Sequence, residues 1–111
     1  MGDSQLVTAQ IEKRKYRRVK LVTEVRCDAA GRDDILVTRD VSAGGMFVST
    51  KTPLPIGSEV GLSFTLGKEA PALTCAGKIV YSQQGMGMGI EFSGLNPECA
   101  LALQKFVDES D

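Results

Sequence analysis

A chain of 111 residues with 42% hydrophobic content is long enough for one domain with one core and too short for two. Its formal charge is −1, from 13 basic and 14 acidic residues, and it has no histidine, so acid–base chemistry would fall to carboxylates, lysines or thiols. Cys27, Cys75 and Cys99 are odd in number, widely spaced and lack a Cys-x-x-Cys pair, which excludes a disulfide framework and a common zinc site and reads as three small core residues in a reducing compartment.

Residues 1–10 contain no apolar leader core, and no later stretch approaches the roughly 18 apolar residues of a membrane span, so a cytoplasmic protein without membrane insertion is expected. Residues 1–12 carry little periodicity and are expected to be a mobile segment ahead of one domain at 13–111. Charge is unevenly distributed after that point. Lys13, Arg14, Lys15, Arg17, Arg18 and Lys20 place six of the 13 basic residues within eight positions, leaving 7 basic against 14 acidic residues, a net −7, elsewhere. A basic arm beside an acidic body implies an anionic partner for the arm.

From Val19 the pattern becomes alternation, with Val19, Leu21, Thr23, Val25, Cys27 and Ala29 on one face of a half-buried strand. Ala30-Gly31-Arg32-Asp33 turns the chain into a short strand around Ile35. Asp40-Val41-Ser42-Ala43-Gly44-Gly45 makes a corner, and Met46 opens the next strand. Thr52-Pro53-Leu54-Pro55-Ile56-Gly57 is a loop, since its prolines cannot sit within a ladder. Val60, Leu62, Phe64 and Leu66 alternate in a fourth strand. Residues 72–82 form a fifth, with Leu73, Cys75, Ile79 and Tyr81 of one parity and Gly77 marking a bulge or close approach. Gly87 to Phe92 reads as a sixth, a methionine-glycine edge strand. Asn96-Pro97-Glu98 supplies a cap, a first-position proline and an early acid for a helix that places Cys99, Ala102, Leu103 and Phe106 at helical spacing. These elements add up to an all-β protein, a six-stranded antiparallel barrel with a C-terminal α-helix and a flexible basic N-terminal arm.

Catalysis finds little support. There are no paired acids in a patterned cleft and no nucleophile elbow, and the cysteines lie on apolar faces. Gly85-Met86-Gly87-Met88-Gly89 superficially suggests a phosphate loop, but it precedes a strand and lacks the lysine such a loop requires. No catalytic residue, metal site or cofactor is expected. At the corner, Asp40 and Ser42 share parity and stand on one face of an extended segment, while Gly44 and Gly45 permit unusual backbone and close approach. Both polar side chains could instead simply cap their own turn.

An arginine pair, Arg14-x-x-x-Arg18, followed across a strand by Asp40-x-Ser42-x-x-Gly45, resembles the PilZ domain, the bacterial receptor module for cyclic di-GMP. The likeness runs from about Lys13 to the C-terminal helix and includes Gly44-Gly45-Met46-Phe47-Val48, Pro55-Ile56-Gly57 and Gly87-Met88-Gly89-Ile90-Glu91-Phe92. It implies the same barrel and a ligand set of Arg14, Arg18, Asp40, Ser42 and Gly45, with Lys13, Arg17, Val41 and Gly44 as auxiliary contacts. Arginine forks suit guanine O6 and N7 or a phosphate, and Asp40 can accept from guanine N1 and N2. The implied function is a stand-alone cyclic di-GMP receptor that orders its arm on binding and signals in trans to an effector protein in motility, pilus or exopolysaccharide control, as a monomer or weak dimer. A protein-interaction module working without nucleotide is the alternative. A nucleic-acid-binding barrel is disfavoured by the −7 body and an aromatic content of 5%.

Overall fold

The computed structural model describes residues 17–110 apart from 30, 68 and 69. Among these residues seven strands and one helix follow in order: β1 (Val19–Lys20), β2 (Glu24–Ala29), β3 (Arg32–Val41), β4 (Gly45–Ser49), β5 (Glu59–Phe64), β6 (Leu73–Gln83), β7 (Gly87–Phe92) and α1 (Pro97–Glu109). Every pairing is antiparallel. The ladder runs β3-β2-β5-β6-β7-β4 and returns from β4 to β3, closing six strands into a barrel, with β1 beside β3 as a short continuation of β2. Closure leaves the barrel strands no free edge, so β7 is not the edge strand its methionines and glycines suggest; it bonds to both β6 and β4.

Alternation places the core. Val25 and Cys27 on β2, Val60, Leu62 and Phe64 on β5, Cys75 and Ile79 on β6, and Met88 and Ile90 on β7 all point inward. Burying a side chain such as Ile79 or Leu103 contributes roughly 1.5–3 kcal/mol. All three cysteines are buried, and burial pushes the Cys27 and Cys75 thiols up to about 11, so both stay protonated at neutral pH. Helix α1 begins as its sequence requires: Asn96 accepts from the Cys99 N–H at 2.8 Å, Pro97 starts the first turn, and Cys99, Leu103 and Val107 form the buried stripe.

Three departures from strict alternation shape the surface. The long first strand is interrupted at residues 21–23, where three residues oppose two on β3: Lys20 pairs with Asp40 and Glu24 with Val37. Buried Thr38 fills the gap, its Oγ1 donating to the Leu21 carbonyl at 2.7 Å and accepting from the Thr23 N–H at 3.0 Å. On the other side of β3 the pairs Thr38–Val48 and Asp40–Phe47 leave Arg39 without a partner on β4, a bulge. On β6, Ile79 pairs with Ile90 and Tyr81 with Gly89, so Val80 is the extra residue. This bulge, and not Gly77, interrupts the alternation of β6. It turns Tyr81 outward to 48% exposure, against the inward parity of the sequence pattern. Gly77 is instead a point of close approach, where a Cβ would lie 2.6 Å from the Ile90 side chain.

Candidate functional site

The corner between β3 and β4 brings the second motif together with the end of the basic arm. Arg18 Nη1 donates to Asp40 Oδ1 at 2.6 Å, joining residues 22 positions apart. Their side chains are 47% and 34% exposed, so water screens the pair and its net worth is about 0–1 kcal/mol. A ligand that offers Arg18 an anion and Asp40 a donor therefore displaces little.

Ser42 behaves differently. It is 6% exposed, and its Oγ accepts from the Gly44 and Gly45 N–H groups, both at 3.1 Å, while its own N–H donates to the Gly45 carbonyl at 2.8 Å. Its hydroxyl is thus committed to the turn. Asp40 lies within β3 with its carboxylate on Arg18, whereas Ser42 lies past the end of that strand with its hydroxyl on the Gly44 and Gly45 N–H groups. Val41 is 0% exposed and belongs to the core, so it offers no accessible surface for an auxiliary ligand contact. Gly45 is required by the barrel itself. A Cβ there would sit 2.2 Å from the Ile90 carbonyl oxygen, so only glycine lets β4 start this close to β7.

Two adjoining hollows flank the corner. A cleft of about 510 Å3 is lined by Arg18, Ser42, Gly44, Gly45, Phe47, Tyr81 and Glu91, among others. Glu91 is the register partner of Gly45. Across the outer face, Phe47, Gly89 and Tyr81 are paired in turn along β4, β7 and β6, and the two rings lie 6.1 Å apart at 44°. A groove of about 440 Å3 lies beside the cleft, lined by Arg18, Val19, Lys20, Val22, Arg39 and Asp40. Both volumes fall in the roughly 300–1,000 Å3 range of small-ligand sites, and Arg18 lines both.

Arg17 goes elsewhere. Its Nη1 donates to the Val107 carbonyl at 3.2 Å and its Nη2 to that of Ser110. Helix α1 has no basic residue in its last turn, so Arg17 supplies the cation that the negative end of the helix favours. Of the remaining residues named from the sequence, Gly44 lines the cleft. Lys13, Arg14 and the segment 1–12 lie outside the described residues. Sequence reasoning missed Arg39, Phe47, Tyr81 and Glu91. Phe47 and Glu91 lie inside the stretches that resemble the family, Tyr81 is turned outward by a bulge that no local residue signals, and Arg39 alternates outward beside buried Thr38. No group of acidic, cysteine or histidine side chains suited to a metal occurs among the described residues, and none of their helices is long and apolar enough to cross a membrane.

Among the described residues, a closed antiparallel barrel with one C-terminal helix carries a charged corner between two open hollows. The chain belongs to the PilZ domain family, whose model matches residues 12–109. Among solved structures it is similar to the Bacillus subtilis inhibitor of motility MotI/DgrA, with a TM-score of 0.75 and 17% identity over 86% of this chain and 49% of that one. It is also similar to the PilZ domain of Escherichia coli YcgR, solved with c-di-GMP, with a TM-score of 0.72 and 15% identity over 88% of this chain and 91% of that one. A third likeness is to Borreliella burgdorferi PlzA, solved in complex with c-di-GMP, with a TM-score of 0.62 and 14% identity over 93% of this chain and 45% of that one. The chain therefore spans about half the length of MotI/DgrA and of PlzA. No curated protein matches it.

Proposed function

We propose that this chain is a cyclic di-GMP receptor that signals to a partner protein in trans. The observation that carries the reading is the Arg18–Asp40 contact: one member of each motif, brought together at the junction of two ligand-sized hollows. Family membership and the cyclic di-GMP complexes of YcgR and PlzA support it. In this reading Asp40 exchanges Arg18 for the N1 and N2 donors of a guanine. Arg18, released, forks onto a phosphate or the Hoogsteen edge of the base. Arg14 closes the clasp from the opposite side, and Lys13 reinforces it as a phosphate contact. Ser42 acts through the backbone it shapes, presenting Gly44 and Gly45 at the cleft.

In this reading binding orders the arm from Lys13 across the cleft as Arg18 leaves Asp40 for the ligand. Fixing backbone costs about 1–2 kcal/mol per residue, and charge-assisted hydrogen bonds of roughly 1.5–3 kcal/mol each offset it. The signal is the new position of the arm, offered to an effector in the cytoplasm. A calorimetric titration with cyclic di-GMP, beside GTP and a short oligonucleotide, tests the reading. Saturable binding of cyclic di-GMP alone supports it. No heat with any of the three favours an interaction module without nucleotide, and preference for the oligonucleotide favours a nucleic-acid-binding barrel.

A further inference from the structure

The bulge on β3 sets Asp40 outward beside Arg39, a cation that neither motif contains. Strict alternation would allow one outward residue between buried Thr38 and buried Val41, but the chain has two there, Arg39 and Asp40, and both reach the groove. Asp40 takes Arg18. Arg39 lies with its guanidinium carbon 5.5 Å from the centroid of the Phe47 ring, a contact that orients the planar fork without using any of its N–H donors. Among the described residues Arg18, Arg26 and Arg32 each pair with a carboxylate and Arg17 holds helix carbonyls, whereas the guanidinium of Arg39 has neither. Lys20, the register partner of Asp40 on β1, lines the same groove and also makes no ion pair among the described residues. The groove therefore sets three cations around one carboxylate that is already engaged.

We propose that Arg39 and Lys20 form an anion subsite that takes a phosphodiester of the ligand, with Arg39 as the main contact and the Phe47 ring as its support. The inference rests on the cyclic di-GMP reading and deepens it. One phosphodiester lies in the groove between Arg39 and Lys20 while a guanine lies over the neighbouring cleft, and Arg18 bridges the two because it lines both. The planar fork of Arg39, already held against the ring, loses little side-chain freedom when it grips two phosphate oxygens.

The test is a titration of the full chain with cyclic di-GMP at low and at physiological salt, using Arg39→Gln, Arg39→Lys and Lys20→Gln. Lys105→Gln, on the exposed face of α1, serves as a control for the same change in net charge. Loss of a charged hydrogen-bonding partner predicts that Arg39→Gln weakens binding about tenfold or more and flattens its salt dependence. Arg39→Lys should keep the parent's salt dependence with intermediate affinity, Lys20→Gln should lose about threefold, and the control should match the parent. Melting temperatures of the free variants should agree with that of the parent. The subsite is overturned if the parent binds and Arg39→Gln binds equally well, or weakens no more than the control. It is also overturned if Arg39→Gln melts early while its folded fraction keeps full affinity, since Arg39 would then serve only to cover Phe47. Absence of binding by the parent overturns the receptor reading and this subsite together.

Discussion

Between Ser42 and Gly45 the polar atoms are spent inside the turn: one hydroxyl serves two backbone N–H groups, and a glycine meets the facing strand where no Cβ fits. Two residues earlier, Asp40 and Arg39 face solvent, one in a screened ion pair and the other resting on an aromatic ring. The two sides of one corner thus divide its work. The Ser42 side fixes the shape of the backbone, and the Asp40 side keeps charges near the surface, where a ligand can take them over. A motif that spans both sides reads in sequence as one site although only part of it is free to make contacts.

Substitutions should separate the two sides, the largest effect falling on the scaffold. Gly45→Ala drives a methyl group into the Ile90 carbonyl, which belongs to the backbone and cannot swing aside, so a loss of about 3 kcal/mol in urea unfolding is expected whether or not ligand is present. A stability equal to that of the parent would show that β4 and β7 can separate there and would return Gly45 to the ligand side. Ser42→Ala leaves two N–H groups at the turn without their acceptor and should cost about 1–3 kcal/mol in the same measurement. Were Ser42→Ala to unfold like the parent but bind cyclic di-GMP poorly, Ser42 would belong with Asp40 and the division drawn here would be misplaced.

Arg17→Ala sharpens the comparison on the arm, where neighbouring arginines point to different tasks. Removing the cation from the C-terminus of α1 should cost about 0.3–1 kcal/mol and speed amide hydrogen exchange in the last helical turn. Unchanged exchange there would detach Arg17 from the helix. Arg18→Ala has the smallest expected effect on the free protein, under about 1 kcal/mol, because its pair with Asp40 is half-exposed. A larger loss of stability would make that pair part of the scaffold.

Much of this architecture was legible in the sequence because it is local. Alternation marked the inward faces of β2 and β5, prolines and glycines marked the loops, and Asn96-Pro97-Glu98 marked the start of α1. The bulges at Arg39 and Val80 were not legible, since a bulge is a relation between two strands and neither position carries a glycine or proline. The extra residue at Val80 sets Tyr81 outward against the parity of its strand. The partner of Arg17 lies 90 residues away, although a helix ending in Asp108 and Glu109 without a cation was a signal that one had to come from elsewhere. At the corner the sequence left binding and turn capping open for Asp40 and Ser42 alike. Capping describes Ser42, and the Asp40 carboxylate is turned outward to Arg18.

Asp40 is the residue at which ligand recognition and turn capping have the most different consequences. Parallel thermal melts and cyclic di-GMP titrations of the parent, Asp40→Asn and Asp40→Ala measure its two possible roles at once. Both variants should melt close to the parent, Asp40→Asn should bind moderately less well because one uncharged acceptor remains, and Asp40→Ala should lose binding severely. A lower melting temperature for Asp40→Ala, with full affinity in its folded fraction, would rule out ligand recognition by Asp40 and assign it to the turn alone.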